Sequence, residues 1–346
     1  MSDDWKTAPA TKVGMDERRL CSIPSFLDSV ANSNVHSVLV VRSGALVFEH
    51  YRNGDDEIGD RAAPNASHDV NTKHDLRSVS KGITSLLLGI AWDRKLIADI
   101  DEPVLSYFPQ YSDLAKDGRD RITIRHHLTM ASGLAWNEYL PYTDPKNSQT
   151  AMLRSADPLR FVLQQQLVDA PGTIWSYNSG STELLGAIIA KASGATLDAF
   201  AEKALFAPLG ISDVGWWRFA DGRPGAAAGL QLRPRDLAKI GQLLLQRGRW
   251  NDKQIVSEHW LDEATAPQIG PGDRLYFYGY QWWLGRSLVK RKALLWVAGQ
   301  GLGGQRLIVV PSLDLVCVIT AGHYRDEMQT WLPLLLLNQH VLAAAE

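Results

Sequence analysis

A serine and a lysine three positions apart, Ser78 and Lys81, are the residues of this chain best suited to chemistry. They stand just before the apolar run 83–92, and residues at i and i+3 share a helix face, so the lysine ammonium can reach the serine hydroxyl. The free N–H groups of a helix start point towards the same place. A nucleophile, a nearby base and an anion-stabilising helix end together predict acyl transfer.

The Ser-x-x-Lys spacing is not specific by itself, because roughly one chance match is expected in a chain of this length. A second match, Ser287 with Lys290, lies in a segment typical of a β-strand, where residues i and i+3 point to opposite faces. We interpret it as accidental. The alternative for the first match is a surface helix with Ser78 as its cap and Lys81 exposed. Against that alternative, apolar residues recur at helical spacing and predict a buried stripe, at Val79, Ile83, Leu86, Leu87, Ile90 and Ala91.

Two further stretches suit the same chemistry. Tyr177 ends the motif Pro-Gly-Thr-Ile-Trp-Ser-Tyr, and beside Lys81 it would carry protons, because a neighbouring ammonium lowers the pKa of a phenol. Taken alone, Tyr177 is equally explained as a core or rim residue. The stretch 299–304 has four glycines in six residues, which let backbone approach another group closely. It is either a glycine-rich hairpin or the source of a backbone N–H donor in an oxyanion hole.

Hydrophobic patterning predicts the elements that position these residues. A helix over 16–32 precedes two strands, 35–41 and 45–51, and a long loop over 54–75 then leads to the Ser78 helix. Helices and loops follow up to Trp217, and after Arg218 the pattern predicts the helices 233–245 and 330–345 and the strands 278–284, 293–298, 305–310 and 315–320. We therefore expect an α/β (α+β) fold with an antiparallel sheet flanked by helices. Residues 1–103 and 218–346 would form the α/β lobe, with an all-helical lobe inserted at 104–217. The Ser78 helix would lie where the lobes meet, a usual place for an active site.

Composition favours a globular enzyme with a small-molecule substrate. The 346 residues are 45% hydrophobic and 21% charged, and the net charge is −2 with both signs interspersed, which predicts neither a nucleic-acid partner nor a membrane partner. Residues 1–5 are polar and lack the features of a signal peptide, so we expect a cytoplasmic protein. Cys21 and Cys317 are expected to be structural thiols. The nine histidines are scattered in sequence and form no recognised ligand motif, so we expect no metal and no cofactor.

The three motifs resemble, in their order, the serine hydrolases of the β-lactamase and penicillin-binding fold. The motifs read Ser78-x-x-Lys81, Pro-Gly-Thr-x-Trp-x-Tyr177 and Gly-x-Gly-Gly-Gln305-x-x-x-Val-Val-Pro311. They are most similar to the class C β-lactamase-like branch, which includes family VIII carboxylesterases and 6-aminohexanoate-dimer hydrolases. The resemblance extends over nearly the whole chain, through 127–134 and 229–241.

This resemblance implies a role for each motif. Ser78 would be the acylated nucleophile, Lys81 would orient or deprotonate it, and Tyr177 would relay protons to the leaving group and help activate water. Whether Lys81 or Tyr177 is the base is left open. The oxyanion hole would consist of the backbone N–H groups of Ser78 and Leu302. Substrate contacts are expected from Ser179, Gly301, Gln305, Trp136 and Asp144.

Two departures from the family pattern narrow the substrate class. The family often has an asparagine in the motif Tyr-x-Asn, and Ser179 stands in its place here. The resulting Tyr-x-Ser form resembles that of the 6-aminohexanoate-dimer hydrolases. Gly299-Gln300-Gly301 stands where a Lys-Thr-Gly motif often supplies the cation for a β-lactam carboxylate. Losing that partner removes about 1.5–3 kcal/mol of binding, unless Arg306 substitutes for it. We therefore predict a neutral ester or a linear amide as substrate.

Two alternatives to this function are kept open. One is a weak β-lactamase or D,D-peptidase, and the other is a catalytically idle member of the fold that binds a ligand. Two predicted contacts also have alternatives. Trp136 would line the pocket, although most of the twelve tryptophans are expected in the core. Asp144 would bind a substrate ammonium, or would simply be an exposed loop aspartate.

Overall fold

The computed structural model describes residues 5–58, 61–272 and 275–345. Residues 1–4, which belong to the polar start noted above, lie outside this range. The strands in the described residues are β1 Val35–Arg42, β2 Ala45–Tyr51, β3 Gly54–Ile58, β4 Arg61–Ala66, β5 His74–Asp75, β6 Gly215–Trp216, β7 Leu230–Leu232, β8 Arg249–Trp250, β9 Lys253–Gln254, β10 Phe277–Tyr278, β11 Trp283–Val289, β12 Lys292–Gly301, β13 Gln305–Val310 and β14 Leu315–Ala321. The α-helices are α1 Glu17–Cys21, α2 Ile23–Ser29, α3 Ser80–Asp93, α4 Ile124–Leu128, α5 Ser148–Arg154, α6 Pro158–Leu163, α7 Ser179–Ser193, α8 Leu197–Ala201, α9 Pro234–Leu245, α10 Glu258–Ala264 and α11 Met328–Leu336.

A seven-stranded antiparallel sheet joins the two ends of the chain. Its strand order is β10-β11-β12-β13-β14-β1-β2, so the first strands of the chain pair with the last one. The register places Val41 opposite Val316, and Gly301 opposite Gln305 at the β12–β13 turn. This confirms the predicted antiparallel sheet built from both chain ends.

The sheet is buried on both faces because alternate side chains of each strand pack against different helices. On one face Val38 and Val40 of β1 pack in a core with residues of α1, α2 and α11. On the other face Leu39 and Val41 share a core with α3 and α9. The helix α3 is buried from Ser80 to Ala91, so the helix that follows Ser78 is a core element rather than the surface helix of the alternative interpretation.

The segment between β5 and β6 contains helices and turns, with α7 packed against α3 at its centre. This agrees with the helical character expected of residues 104–217, although β6 falls just inside that range. The exact lobe boundaries stay a prediction.

Two predicted elements are wrong. The polar segment 54–75 is not a single loop, because β3 and β4 pair as a hairpin and β5 pairs with β7. The predicted strand 278–284 is broken: Gln281 has a φ of 66°, and its side chain donates to the backbone carbonyls of His127 and Leu128. The main strand β11 therefore starts only at Trp283.

Both cysteines are free thiols, Cys21 exposed and Cys317 buried in β14, as predicted. In the described part of the chain, no single helix has the length and apolar character needed to cross a membrane. One bent pair of helices, Ser179–Ser193 with Leu197–Phe206 at 73°, meets those criteria by length and composition alone.

Candidate active site

Ser78 lies in a tight turn between β5 and α3. Residues Arg77–Val79 form one turn of 3-10 helix that runs into α3, and the preceding Leu76 donates its N–H to the Leu230 carbonyl of β7. Arg77 has a φ of 48°, an uncommon value for a residue other than glycine, and its N–H donates to the Asp75 carboxylate at 3.1 Å. These contacts hold Ser78 half-buried at the start of the buried helix.

Lys81 faces Ser78 from the first turn of α3. Its Nζ donates to Ser78 Oγ at 2.9 Å and to the Ala227 carbonyl at 3.2 Å, and the residue is only 1% exposed. Burial disfavours the ammonium and lowers the pKa of Lys81 to about 8, although the carboxylates of Glu138 and Glu183 act in the opposite direction. The lysine is therefore poised to exchange a proton with the serine near neutral pH.

Glu183 positions the Ala227 carbonyl, which is the second hydrogen-bond acceptor of Lys81. This glutamate lies on α7, is 4% exposed, and accepts hydrogen bonds from the N–H groups of Ala226 (3.0 Å) and Ala227 (2.9 Å). Burial is the main cause that raises the pKa of Glu183. Because Glu183 holds the 226–227 backbone, it holds the Ala227 carbonyl where the Lys81 ammonium meets it.

Tyr177 meets the same two residues from the loop that precedes α7. The Lys81 ammonium lies 4.9 Å from the centroid of the Tyr177 ring, and the Tyr177 hydroxyl interacts with Ser78. The ring stacks on Trp283 with centroids 6.0 Å apart and also contacts Trp175 at 6.1 Å. These aromatic contacts fix the direction of the phenol.

The prediction that the pKa of Tyr177 is lowered is wrong. Burial raises the pKa of this phenol and the charge of Glu138 raises it further, whereas the Ser78 hydroxyl lowers it only in part. A neighbouring ammonium therefore does not bring this phenol towards working pH. Tyr177 is a neutral hydrogen-bonding group at neutral pH, suited to passing on a proton rather than to removing one.

Glu138 is a site residue that the sequence analysis missed. Its Oε2 accepts from the Ser179 N–H at 2.6 Å and from Trp136 Nε1 at 2.5 Å, and its Oε1 accepts from Ser179 Oγ at 2.7 Å. The carboxylate thus lies at the N-terminus of α7, where a negative charge is stabilised. Its charge also acts to raise the pKa values of both Lys81 and Tyr177.

The glycine-rich hairpin closes the site from the side of the sheet. A Cβ added to Gly301 would lie 2.5 Å from the Leu76 carbonyl oxygen, so only glycine lets β12 come this close to the turn that carries Ser78. A Cβ at Gly299 would lie 2.9 Å from the Val79 side chain. The close backbone approach expected from the glycine pattern is present, and it places the half-exposed Leu302 next to the turn that carries Ser78.

Arg306 orients the peptide group that precedes Leu302. Its Nη1 donates to the carbonyls of Gly301 at 3.3 Å and Gln305 at 2.9 Å, and its Nη2 donates to the Gln329 carbonyl at 2.8 Å. The C=O of Gly301 and the N–H of Leu302 belong to one planar trans peptide and point in opposite directions. By holding this carbonyl, Arg306 holds the Leu302 N–H as well. The residue is 5% exposed and its guanidinium is committed to backbone carbonyls, so the open alternative that Arg306 substitutes for a carboxylate-binding lysine is not supported.

Three predicted substrate contacts have other partners in the structure. Ser179 is fully buried and gives its hydroxyl to Glu138. Gln305 is also buried: its Oε1 accepts from the Ala321 N–H at 3.1 Å, and its Nε2 donates to the carbonyls of Leu302 and Ala321. Asp144 accepts from the Lys146 N–H at 2.8 Å in a turn of its loop. The buried Ser179 and Gln305 support the site, which corrects their prediction as substrate ligands.

Trp136 reaches the site through Glu138. Its ring is half-buried and makes an edge contact with Phe161, with centroids 6.3 Å apart, and its Nε1 donates to the glutamate. The structure therefore brings together Ser78, Lys81, Tyr177 and Gly301, with Trp136 one contact further out. No sequence signal marked Glu138 or Glu183, because each reaches the site through a contact with a segment distant in sequence, Glu138 with Ser179 and Glu183 with residues 226–227.

The sequence profile of the family described as "Beta-lactamase" matches residues 31–332. The 6-aminohexanoate-dimer hydrolase of Paenarthrobacter ureafaciens is 25% identical over 350 residues, covering 93% of this chain and 81% of the relative. Esterase EstB of Burkholderia gladioli is 30% identical over 207 residues, covering 56% of this chain and 52% of the relative.

Among solved structures, EstCE1, titled a hydrolase with promiscuous acyltransferase activity, is similar in fold. It superposes with a TM-score of 0.72 at 16% identity, covering 90% of this chain and 95% of that one. At this identity the likeness concerns the fold, and it agrees with the antiparallel sheet and flanking helices described above.

Proposed function

Because this chain belongs to the beta-lactamase family, we propose that it is a serine hydrolase that cleaves carboxylic esters or linear amides through an acyl-enzyme on Ser78. One observation carries the proposal: the Nζ of a buried lysine whose pKa is lowered to about 8 lies 2.9 Å from the Oγ of Ser78. The relatives named as an esterase and as an aminohexanoate-dimer hydrolase support it.

Lys81 is the base in the proposed first step. With a pKa of about 8, about a tenth of Lys81 is neutral at pH 7, roughly 200-fold more than for an unperturbed lysine. The neutral amine takes the proton of Ser78 as Oγ attacks the substrate carbonyl carbon. Tyr177 is the less suitable base because burial raises its pKa.

The tetrahedral intermediate carries its negative charge on the former carbonyl oxygen. In the proposed oxyanion hole this oxygen accepts from the backbone N–H groups of Ser78 and Leu302, with the second one oriented through Arg306 and Gly301. Lys81 returns its proton through the Tyr177 hydroxyl to the leaving oxygen or nitrogen as the carbonyl–leaving-group bond breaks. Water then attacks the acyl-enzyme along the reverse proton path and releases the acid.

The arrangement favours esters and linear amides over β-lactams. A β-lactam presents a carboxylate that gains from a charge-assisted partner, and the two candidates in the third motif do not supply one. Arg306 is committed to three backbone carbonyls, and Gly299-Gln300-Gly301 contains no cationic side chain. The weak β-lactamase or D,D-peptidase activity stays the second candidate within the same chemistry.

The test is a comparison of substrates with matched serine variants. We expect the wild type to hydrolyse a p-nitrophenyl acyl ester or a linear anilide faster than a chromogenic cephalosporin. Ser78→Ala should lose at least about 1,000-fold in kcat/KM, as removal of a nucleophile does. Ser287→Ala, in the second Ser-x-x-Lys match on β11, is the matched control and should retain activity. Equal activity of Ser78→Ala and the wild type would contradict the proposal.

A further inference from the structure

Three histidines that are scattered in sequence converge with an aspartate outside the candidate active site. His36 of β1, Asp56 of β3, His68 after β4 and His74 of β5 are all buried, and one potential ligand atom of each lies within 4.8 Å of the others. The expectation drawn from sequence, that the histidines form no ligand set, does not hold for these three. Because β3, β4 and β5 fall in the segment predicted as one loop, the sequence pattern did not reveal the cluster.

The hydrogen bonds of two of the histidines determine which ring nitrogens carry protons. His36 Nε2 contacts the Asp55 carbonyl and the Asn34 Oδ1, each at 3.1 Å, and His74 Nδ1 contacts the Asp75 carbonyl at 3.1 Å. Carbonyl oxygens only accept, so these nitrogens are the donors. The remaining nitrogens, His36 Nδ1 and His74 Nε2, then face each other with lone pairs at 2.8 Å.

Two lone pairs at this distance repel unless a cation lies against both. Metal-binding histidines typically give their distal N–H to a carbonyl or a carboxylate, which fixes the tautomer and directs the other nitrogen at the metal. His36 and His74 both have this arrangement. A single shared proton would satisfy this pair of nitrogens, but it would leave the buried His68 Nε2 without a hydrogen-bond partner in the described structure.

The other two members of the cluster, His68 and Asp56, point at the same centre. Among the described residues, His68 Nε2 is buried and has no hydrogen-bond partner. Asp56 Oδ1 is held by the Tyr324 hydroxyl at 2.6 Å and the Glu57 N–H at 2.8 Å. Its Oδ2 is thereby turned to the histidines, 3.8 Å from His68 Nε2 and 3.7 Å from His74 Nε2.

We propose that His36, Asp56, His68 and His74 form a closed structural site for a divalent transition-metal ion, with Zn²⁺ the best match. Three imidazole nitrogens and one carboxylate oxygen are borderline ligands of the kind that Zn²⁺ prefers, and four protein ligands leave no open position for catalysis. Tetrahedral zinc at its usual bond lengths places its ligand atoms about 3.3 Å apart, within the range spanned by these contacts.

Binding requires one modest rearrangement. The His36 and His68 rings are stacked, with centroids 4.0 Å apart and 10° between their planes, and two parallel rings cannot both hold one metal in plane. The His68 ring must therefore tilt, and no hydrogen bond of its Nε2 opposes that motion in the described structure. The distance between His36 Nδ1 and His74 Nε2 would increase only slightly from 2.8 Å.

The site ties the β3–β5 segment to the main sheet just before the nucleophile turn. His74 and Asp75 form β5, Asp75 accepts the Arg77 N–H, and the Arg77 guanidinium lies 5.0 Å from the centroid of the Tyr324 ring, whose hydroxyl holds Asp56. The bound ion would stabilise the fold and steady this turn without touching substrate. This effect on the turn rests on the proposed function, whereas the metal site itself does not.

The test measures metal binding directly, on untagged full-length protein. The protein is stripped with a chelator, equilibrated with Zn²⁺, desalted and analysed for metal per chain, and a parallel titration with Co²⁺ follows the visible absorption of a tetrahedral centre. We expect one ion per chain in the wild type. His68→Gln, which breaks no hydrogen bond of Nε2, and Asp56→Asn, which keeps the acceptor for Tyr324, should bind at least about 10-fold more weakly. The surface variant His259→Gln is the matched control and should bind like the wild type.

A second readout separates this proposal from the proposed hydrolase function. Zn²⁺ should raise the thermal midpoint of the wild type and of His259→Gln, and should leave that of His68→Gln unchanged. A stripped wild type that retains no Zn²⁺ and shows no Co²⁺ spectrum would overturn the site and leave a shared proton between His36 and His74. Equal zinc retention by His68→Gln and the wild type would indicate adventitious surface binding and overturn it as well. Neither outcome bears on Ser78, because the hydrolase test is run separately on Ser78→Ala.

Discussion

The pH dependence of acylation is the prediction that follows most directly from the site geometry. Burial lowers the pKa of Lys81 from its ordinary value of 10.5 to about 8. If the neutral amine is the base, kcat/KM rises with pH as Lys81 loses its proton. A folded-state pKa of about 8 gives roughly a tenfold rise from pH 6 to pH 7, another rise of about tenfold from pH 7 to pH 9, and a plateau above that. An unperturbed lysine would still be gaining tenfold per unit at pH 9.

The perturbation that tests this interpretation is Glu138→Gln. The amide oxygen of glutamine still accepts a hydrogen bond from Ser179 or Trp136, but the negative charge that raises the pKa of Lys81 is gone. The rising limb should therefore move to lower pH, whereas a merely structural loss would lower kcat/KM at every pH by the same factor.

The assay is the pre-steady-state burst of nitrophenolate from a p-nitrophenyl ester between pH 6 and pH 10, corrected for spontaneous hydrolysis. Lys81→Met provides the control without a titrating base, and any residual burst should not rise with pH in this way. A limb centred near pH 10 in the wild type, or one that persists in Lys81→Met, would refute the assignment of Lys81 as the base.

The remaining predictions concern the supports of the site. Lys81→Met should abolish activity and stabilise the protein at pH 7 by up to about 3 kcal/mol, less the lost hydrogen bonds, because a buried lysine with a lowered pKa destabilises the fold below that pKa. In thermal unfolding the gain should shrink between pH 8 and pH 10.5, and a pH-independent gain would contradict the reasoning. Glu183→Gln leaves one N–H of the 226–227 backbone without its acceptor, and should cost about 2 kcal/mol in denaturant unfolding as well as kcat. Gly301→Ala should reduce kcat at least about 10-fold because its Cβ meets a backbone oxygen, whereas Gly299→Ala, whose Cβ meets the Val79 side chain rather than backbone, should lose less; equal losses would argue against the hairpin geometry. Gln305→Ala should cost about 2 kcal/mol of stability with KM unchanged, and a raised KM would restore its predicted role as a substrate ligand.

The sequence predicted those features that depend on local pattern. The apolar, β-branched run of β1 and the glycine-containing turn after it specified the first two strands, and Pro234 marked the start of α9. The second Ser-x-x-Lys match was correctly placed in a strand, since Ser287 lies in β11 and accepts a hydrogen bond from Trp296. The glycines of 299–304 indicated a close backbone approach, which the contact of Gly301 with the nucleophile turn realises.

The sequence could not predict features that depend on long-range packing. Glu138 and Glu183 are ordinary glutamates until α7 brings them to Lys81. The direction in which the pKa of Tyr177 shifts depends on burial and on the charge of Glu138, and a sequence motif predicts neither. Arg306 lies in a strand that is buried throughout, and only its three backbone contacts show that its charge is unavailable to a ligand.

Trapping the acyl-enzyme tests the central claim most directly. The protein is mixed with a short p-nitrophenyl acyl ester, quenched in acid within the burst phase, and its intact mass is measured beside those of Ser78→Ala and Ser287→Ala. We predict a single added acyl group in the wild type and in Ser287→Ala, located after digestion on the peptide that contains Ser78, and no adduct in Ser78→Ala. An adduct on another residue, or acylation of Ser78→Ala equal to that of the wild type, would contradict it.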